Sequence, residues 1–165
     1  MQTIAAQMVN RTISNGMRIV VIEDHTQPAV FLRVLLPGGE NDDPEDLAGV
    51  ADITADLMPK GAGPRGADEM AEEIDGMGAD LVAESHAEYT VVGCNALSVH
   101  LDTAMEILRD VVLSPRFDKR EFSLIQDQMT ANIKAQRSSP SYMAAVAMAP
   151  AVFGRHAPQG SVKTE

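Results

Sequence analysis

Residues 81–115 read LVAESHAEYTVVGCNALSVHLDTAMEILRDVVLSP and carry the clearest secondary-structure pattern in the chain. Two short runs, Leu81-Val82-Ala83 and Tyr89-Thr90-Val91-Val92, predict strands joined through a polar stretch. A helix is predicted next, because apolar residues recur at helical spacing until Ser114-Pro115 interrupts them. Its apolar stripe consists of Leu101, Ala104, Met105, Leu108 and Val112. This stretch therefore predicts a pair of strands followed by an amphipathic helix.

The residues before this stretch predict a hairpin, a further strand and two helices. Asn15-Gly16 lies between apolar runs and favours the positive φ values of a tight hairpin turn. The run from Ala29 to Leu36 has the composition of a strand that is buried on both faces. Asp43 and Pro44 predict the start of the first helix, where Asp43 caps the first amides. The apolar stripes of the two helices are Leu47, Val50, Thr54, Leu57 and Met58, then Ala67, Met70, Ala71, Ile74 and Met77.

Two more helices are predicted after the quoted stretch. The first runs from about Asp118 to Gln136, and the second lies around Tyr142 to Ala149 after the break at Ser139-Pro140. The apolar stripe of the former is Phe122, Ile125, Met129 and Ile133. The order of strands and helices predicts an α+β fold with a mostly antiparallel sheet and helices packed on one face.

Composition and charge limit the classes of partner. The chain has 165 residues, 45% of them hydrophobic, and a formal net charge of −11. Nucleic acids and anionic membranes bind cationic surfaces, so both are disfavoured as partners. A basic peptide or protein is easier to accommodate, although the same charge is also typical of an ordinary soluble surface.

The sequence gives few signals of its compartment. Cys94 is the one cysteine, which excludes an internal disulfide framework and predicts a small core residue. No apolar run is long enough for a membrane span, and the first residues lack the layout of a secretion signal. We expect a cytoplasmic protein as the sequence is written, or a periplasmic one if a signal peptide has been removed.

Several polar residues fall on or beside the predicted apolar stripes. A turn of 100° per residue places Asn132 next to Met129 and Ile133, so its amide is predicted to face inward. Asp52 and Asp56, at positions i and i+4, share one side of the first helix. On periodicity alone, we expect Asn132 to be a hydrogen-bonded core amide and the two aspartates to be solvated surface charges. The four histidines have no spacing suited to a shared metal ion: His25, His86, His100 and His156.

Short motifs in a fixed order resemble those of the M16 zinc peptidase family, the group that includes pitrilysin, insulinase and the mitochondrial processing peptidase. The resemblance begins at Ile13–Val20 (ISNGMRIV) and at Leu47–Ala51 (LAGVA). It continues through Pro59-Lys60-Gly61, residues 74–81 (IDGMGADL), Tyr89-Thr90, residues 100–105 (HLDTAM), residues 111–117 (VVLSPRF), Ser139-Pro140 and residues 153–156 (FGRH). A member of this family is expected to adopt the LuxS/MPP-like α+β domain.

The resemblance also implies that the family's zinc site is degenerate here. Active members carry H-x-x-E-H on the first helix, where two histidines bind zinc and the glutamate activates water. The matching positions are Asp52-Ile53-Thr54-Ala55-Asp56, so Asp52 and Asp56 replace the histidines and Ala55 replaces the base. Asn132 matches the third ligand, a glutamate on a later helix. We therefore expect no catalytic residue and no metal ligand in this chain.

A non-catalytic member of the family is expected to work through a partner. The resemblance implies a heteromeric peptidase in which an HxxEH-bearing M16 subunit holds the zinc, while this chain has no cofactor and completes a peptide-degrading chamber. Leu81, Val82 and Ala83 match the strand that pairs with peptide substrates, but Val82 stands where active members often have asparagine. Residues 1–165 would form the amino-terminal M16-type domain, incomplete at its carboxyl end and without the family's second domain.

Two other functions remain open at this stage. The chain could be a structural core-type subunit with no link to proteolysis, as in respiratory complexes that contain subunits of this family. It could also use Asp52, Asp56 and Asn132 to bind a hard cation through oxygen atoms, although such ions usually take more ligands than three side chains supply. Neither alternative predicts nucleic-acid binding or membrane insertion.

Overall fold

A computed structural model of the chain describes residues 8–44 and 46–154. The chain opens with a hairpin of two antiparallel strands, β1 (Met8–Thr12) and β2 (Arg18–Ile22). Their turn contains Asn15 and Gly16, and Gly16 has a φ of 87°. The predicted hairpin is thus confirmed, because glycine adopts this left-handed conformation without a steric penalty.

A second, three-stranded antiparallel sheet forms the centre of the fold. Its strands are β3 (Ala29–Pro37), β4 (Asp80–Ser85) and β5 (Tyr89–Leu97), in the spatial order β3-β5-β4. The prediction that the run from Ala29 is buried on both faces is wrong. Among the described residues β3 is an edge strand, and only alternate side chains reach the core. Phe31 and Leu35 point away from the core and are 71% and 65% exposed.

Helices cover one face of this sheet and form the core with it. The helices are α1 (Val50–Leu57), α2 (Ala67–Gly76), α3 (Leu101–Leu113), α4 (Lys119–Gln136) and α5 (Pro140–Phe153). Buried apolar side chains of α2 and α3 pack on alternate residues of β5: Met70, Ile74, Ala104, Ile107, Leu108, Val111, Val92, Cys94 and Ala96. The predicted α+β class is confirmed, and Cys94 is a fully buried core residue as expected.

The first helix begins six residues later than predicted. The sequence favoured a start at Pro44, but α1 starts at Val50 because Gly49 has a φ of 103°, which cannot continue a helix. Asp43 still caps the helix, although it lies several residues before the helix begins. Its carboxylate accepts hydrogen bonds from the amides of Gly49 at 2.6 Å and Ala51 at 2.9 Å.

The loop before α1 is fixed to the β4–β5 turn. The amides of Gly38, Glu40 and Asn41 donate to carbonyls of the turn at residues 86–88. A side chain at Gly39 would meet the carbonyl oxygen of His86, since a Cβ built there lies 2.0 Å away. The sheet therefore holds the loop, and the loop holds the start of α1.

The last two helices lie largely at the surface. Ile125 is the buried residue of α4, while Phe122 at the start of its predicted stripe is 39% exposed. Of the described residues of α5, none is buried. No helix in residues 8–44 and 46–154 is long and apolar enough to cross a membrane. The predictions for Arg155, His156 and the residues after them lie outside the described part of the chain.

Candidate functional site

A pocket of about 440 Å³ lies where α1, β4 and α4 meet. Packing of α1 against both β4 and α4 brings these elements together, although they are distant in sequence. The residues that line the pocket are Asp56, Pro59, Lys60, Leu81, Val82, Ala83, Glu84, Ile125, Gln128, Met129 and Asn132. The pocket thus collects several of the residues that the sequence had singled out.

The four positions predicted to be degenerate differ in their surroundings. Asp56 and Asn132 both line the pocket and are exposed. Asp52 lies one turn earlier on α1 and is half-buried, whereas Ala55 is only 1% exposed. The prediction that the amide of Asn132 faces the core is wrong, because α4 lies at the surface and this side of it borders the pocket.

One wall of the pocket is the free edge of β4. Within the described residues β4 pairs only with β5, so its other edge has no strand partner. The amide of His86 donates to the carbonyl of Tyr89 at 2.9 Å. This hydrogen bond shows which residues of β4 direct their backbone groups toward β5 and which direct them toward the open edge. The backbone groups of Leu81 and Ala83 consequently point to the open edge, while their side chains pack against the core. The strand singled out by the sequence is available for pairing.

The charges of the pocket are mostly negative. Asp56 and Glu84 supply carboxylates, Lys60 supplies an ammonium group, and Gln128 and Asn132 supply neutral amides. Glu84 lies 3.9 Å from Nε2 of His86, and 67% of its side chain is exposed. Among the described residues, neither Asp56 nor Lys60 forms an ion pair. All of these charged groups are therefore accessible to a ligand.

The residues present do not fit a hydrolytic zinc centre. Within residues 8–44 and 46–154, no three histidine, cysteine, aspartate or glutamate side chains converge closely enough to hold a metal ion. Ala55 carries no atom that could accept a proton from water. That Asp52, Ala55, Asp56 and Asn132 are the counterparts of the family's zinc-site residues rests on the resemblance and stays a prediction.

Sequence reasoning missed three polar residues of the pocket. Lys60 lies four residues after Asp56, Gln128 lies one helical turn before Asn132, and Glu84 lies two residues after Val82 on the same face of β4. The spacings within β4 and α4 place Glu84 and Gln128 beside residues that had been singled out, and extending the periodicity of those elements could have found them. Lys60 follows the end of α1, so helical periodicity does not predict its place.

Comparison with known proteins finds similarity to one family of proteins. The family profile described as Insulinase (Peptidase family M16) matches residues 18–160. An uncharacterized zinc protease of Bacillus subtilis, YmxG, is 26% identical over 150 residues, which is 90% of this chain and 37% of that protein. Subunit 1 of the human mitochondrial cytochrome b-c1 complex is 30% identical and covers 76% of the chain and 27% of its own length. The chain spans roughly a third of such relatives.

Solved structures agree with this assignment of the fold. The peptidase M16 inactive domain from Pseudomonas fluorescens superposes with a TM-score of 0.86 at 22% identity, covering 94% of this chain and 38% of that one. Pitrilysin superposes with a TM-score of 0.80 at 20% identity, covering 95% of this chain and 17% of its own. At these identities the superpositions establish the fold.

Proposed function

This chain belongs to peptidase family M16, and from that premise we propose that it is a non-catalytic part of a heteromeric zinc peptidase. The observation that carries the proposal is that the pocket between α1, β4 and α4 is formed, while the neighbouring residue Ala55 of α1 is buried outside its lining and offers no proton acceptor. A chain that does not catalyse a reaction can keep the packing of the fold without keeping the side chains that transfer protons. We infer that it completes the peptide chamber of an HxxEH-bearing M16 subunit.

The zinc ion of such an assembly belongs to the partner. Asp52 and Asp56 place carboxylates where the resemblance expects imidazoles, and Asn132 places a neutral amide where it expects a carboxylate. Even a metal ion held by these oxygens would lack the base that activates water in active members. In this proposal, the chain contributes a shaped wall and an open strand edge, and the partner contributes the chemistry.

The relatives are compatible with this function and also support a second candidate. The structural neighbour from Pseudomonas fluorescens is described as an inactive domain, which is a precedent for an M16 fold without activity. The likeness to subunit 1 of the cytochrome b-c1 complex instead favours a structural core-type subunit unrelated to proteolysis. Co-purification separates the two, because the first predicts an M16 peptidase partner and the second a non-protease assembly.

The decisive experiment measures bound metal and peptide cleavage by this chain, alone and mixed with an HxxEH-bearing M16 homologue from the same source. We expect the chain alone to be metal-free and inactive, and the mixture to cleave unstructured peptides faster than the homologue alone. An unrelated acidic protein added in equal amount controls for non-specific stabilisation of the homologue. Zinc-dependent cleavage by the chain alone would refute the proposal, as would a homologue whose rate is unaffected by it.

A further inference from the structure

The β1–β2 hairpin forms a sheet of its own, separate from the three-stranded sheet. Every residue of its two strands is exposed, and neither strand packs extensively against another element of the described residues. A hairpin of two strands is at best marginally stable in water by itself, so it needs a surface that covers it. We propose that the hairpin docks on a second copy of this chain, where it adds β2 to the free edge of β3.

The sequence of β2 is typical of a strand that is covered on both faces. A strand with one face in water alternates apolar and polar residues, whereas residues 19–22 are Ile-Val-Val-Ile without interruption. The exposed fraction of these residues runs from 38% at Ile19 to 54% at Ile22. Contiguous exposed apolar surface of this kind marks a site of protein interaction.

The edge of β3 that faces away from β5 has no strand partner among the described residues. The amide of Ser98 donates to the carbonyl of Pro28, and the amide of Gly38 donates to that of Glu88. These bonds show that the even-numbered residues of β3 direct their backbone groups toward β5. The residues that direct theirs to the free edge are Ala29, Phe31, Arg33 and Leu35. A long apolar edge like this one is a template for pairing with another chain.

The outer edge of β2 can supply the missing strand. The amide of Ile13 donates to the carbonyl of Met17 at 3.0 Å, so the hairpin's own hydrogen bonds use alternate residues. The residues of β2 that direct their backbone groups outward are Arg18, Val20 and Ile22. Joining this edge to β3 of another copy makes one sheet of five strands, and places apolar side chains of β2 beside the exposed side chains of Phe31 and Leu35.

The distribution of charge favours a second copy as the partner. Residues 8–22 contain two arginines and no acidic residue, which leaves −13 for the rest of a chain whose net charge is −11. Arg11 and Arg18 are exposed, and within the described residues neither forms an ion pair. Acidic residues flank β3 on both sides: Glu23, Asp24, Glu40 and Asp42. A cationic hairpin therefore complements the acidic body of another copy.

Reciprocal docking gives a closed dimer. Each copy donates one hairpin and receives one, and the exchange of an identical element between two copies is a low-cost route to a symmetric dimer. Because β3 and β4 are opposite edges of the sheet, docking at β3 leaves the pocket beside β4 open. The dimer thus uses a different surface from the function proposed above and does not depend on it.

The first test is analytical ultracentrifugation of the whole chain over a wide range of concentrations. We expect a reversible equilibrium between monomer and dimer. A chain that stays monomeric at every concentration would refute the proposal, and would be the result if the hairpin docked on its own β3. Assemblies that keep growing beyond the dimer would also contradict it, because reciprocal exchange closes at two copies.

Two variants assign the dimer to the hairpin and the edge. Val20→Glu with Ile22→Glu removes apolar surface from the hairpin, and Leu35→Pro removes an outward amide from β3, where proline is tolerated at a free edge. Each variant alone should dimerise at least roughly ten-fold more weakly than the parent. Leu35→Ala is the matched control for the edge, since it removes the same exposed side chain but keeps the amide, and it should still dimerise.

Mixing the two variants provides a test that misfolding cannot imitate. The Leu35→Pro chain retains an intact hairpin, and the Val20→Glu/Ile22→Glu chain retains an intact edge, so the mixture should form a heterodimer through one of the two contacts. Failure of the mixture to associate would refute docking of the hairpin on β3. A loss in Leu35→Ala as large as that in Leu35→Pro would refute pairing through the backbone.

A second pair of variants tests the contribution of charge. Arg11→Gln with Arg18→Gln should weaken dimerisation roughly five-fold, as expected for the loss of exposed ion pairs. Lys119→Gln with Arg120→Gln is the matched control, because it removes the same charge from exposed positions at the start of α4. An equal effect of both pairs would assign the change to overall repulsion and contradict docking of the hairpin beside acidic residues.

Discussion

Residue 55 is a position where packing and catalysis would compete for one side chain. Ala55 is 1% exposed and lies between exposed Thr54 and exposed Asp56 on α1. A glutamate here would have to bury its carboxylate or displace its neighbours. The loss of the base that the resemblance predicts is thus consistent with the close packing at this residue.

Replacing Ala55 by glutamate should lower the free energy of unfolding by about 1–3 kcal/mol, because a buried polar group without a partner is costly. Chemical denaturation of the variant and the parent measures this change. Thr54→Glu is the matched control, since it introduces the same group at an exposed position. If both variants were equally stable, the scaffold would have room for a general base.

Arg65 is a second residue whose contribution to stability depends on burial, because its guanidinium pairs with a buried carboxylate. Its guanidinium donates to Glu73 and lies 3.0 Å from Oδ2 of Asp110, a carboxylate that is 9% exposed. The hydrogen bond that Arg65 donates to Glu73 raises the pKa of Arg65, so its guanidinium stays charged. This network ties the loop after α1 to α2 and α3.

Arg65→Met should destabilise the fold by about 3–5 kcal/mol, because it leaves the buried carboxylate of Asp110 with only an exposed partner. The control is Arg109→Met, which removes that partner from the same carboxylate. The Arg109 side chain is 60% exposed. Its removal should cost less than about 1 kcal/mol. Equal losses in urea denaturation would show that burial does not distinguish the two pairs.

At the scale of elements, the position of α1 depends on contacts outside the helix. The β4–β5 turn holds the loop at residues 38–41, and Asp43 of the following segment caps α1. A helix of eight residues is too short to be stable alone, so these contacts and its packing on β4 and α4 set its place. The pocket depends on these contacts, because they set the position of α1, which borders it.

Gly39→Ala should break that connection, since the new Cβ would lie 2.0 Å from the carbonyl oxygen of His86. We expect a loss of stability of about 1–3 kcal/mol from overpacking against backbone, together with weaker peptide binding in the pocket. Gly76→Ala is the control, because nothing lies within 4 Å of a Cβ there. Unchanged thermal unfolding of the Gly39 variant would contradict the proposed role of the loop.

At the scale of the whole molecule, the core lies on one face of the three-stranded sheet. Cys94 lies in this core with no exposed surface. Burial raises the pKa of its thiol, and the nearby carboxylate of Asp80 acts in the same direction. The thiol is therefore a natural reporter of the integrity of the core.

The raised pKa of Cys94 predicts a loss of stability at alkaline pH. The thiol of the unfolded chain ionises near pH 8.5 and that of the folded chain only at higher pH, so this contribution to stability is intact below pH 8.5 and is lost as the pH rises. Raising the pH from 7 to about 9.5 should therefore lower the free energy of unfolding. Comparing Cys94→Ala with the parent isolates it from other titrating groups, and identical pH profiles would refute it.

The sequence alone determined the elements whose signals are local. The hairpin at Asn15-Gly16, the helix beginning at Leu101 and the two strands around residues 81–83 and 89–92 all follow from turn chemistry and periodicity. The ordered motifs also determined the family, which the profile match over residues 18–160 bears out. These features need no knowledge of which elements meet.

Only the tertiary structure decided what lies next to what. In the structure, β3 is an edge strand among the described residues, and α1 begins at Val50 rather than Pro44. Asn132 lines a pocket instead of facing the core. The pocket joins residues from 56 to 132, and its Lys60, Glu84 and Gln128 carried no signal of their own. Burial and proximity depend on the packing of distant segments, so local periodicity cannot specify them.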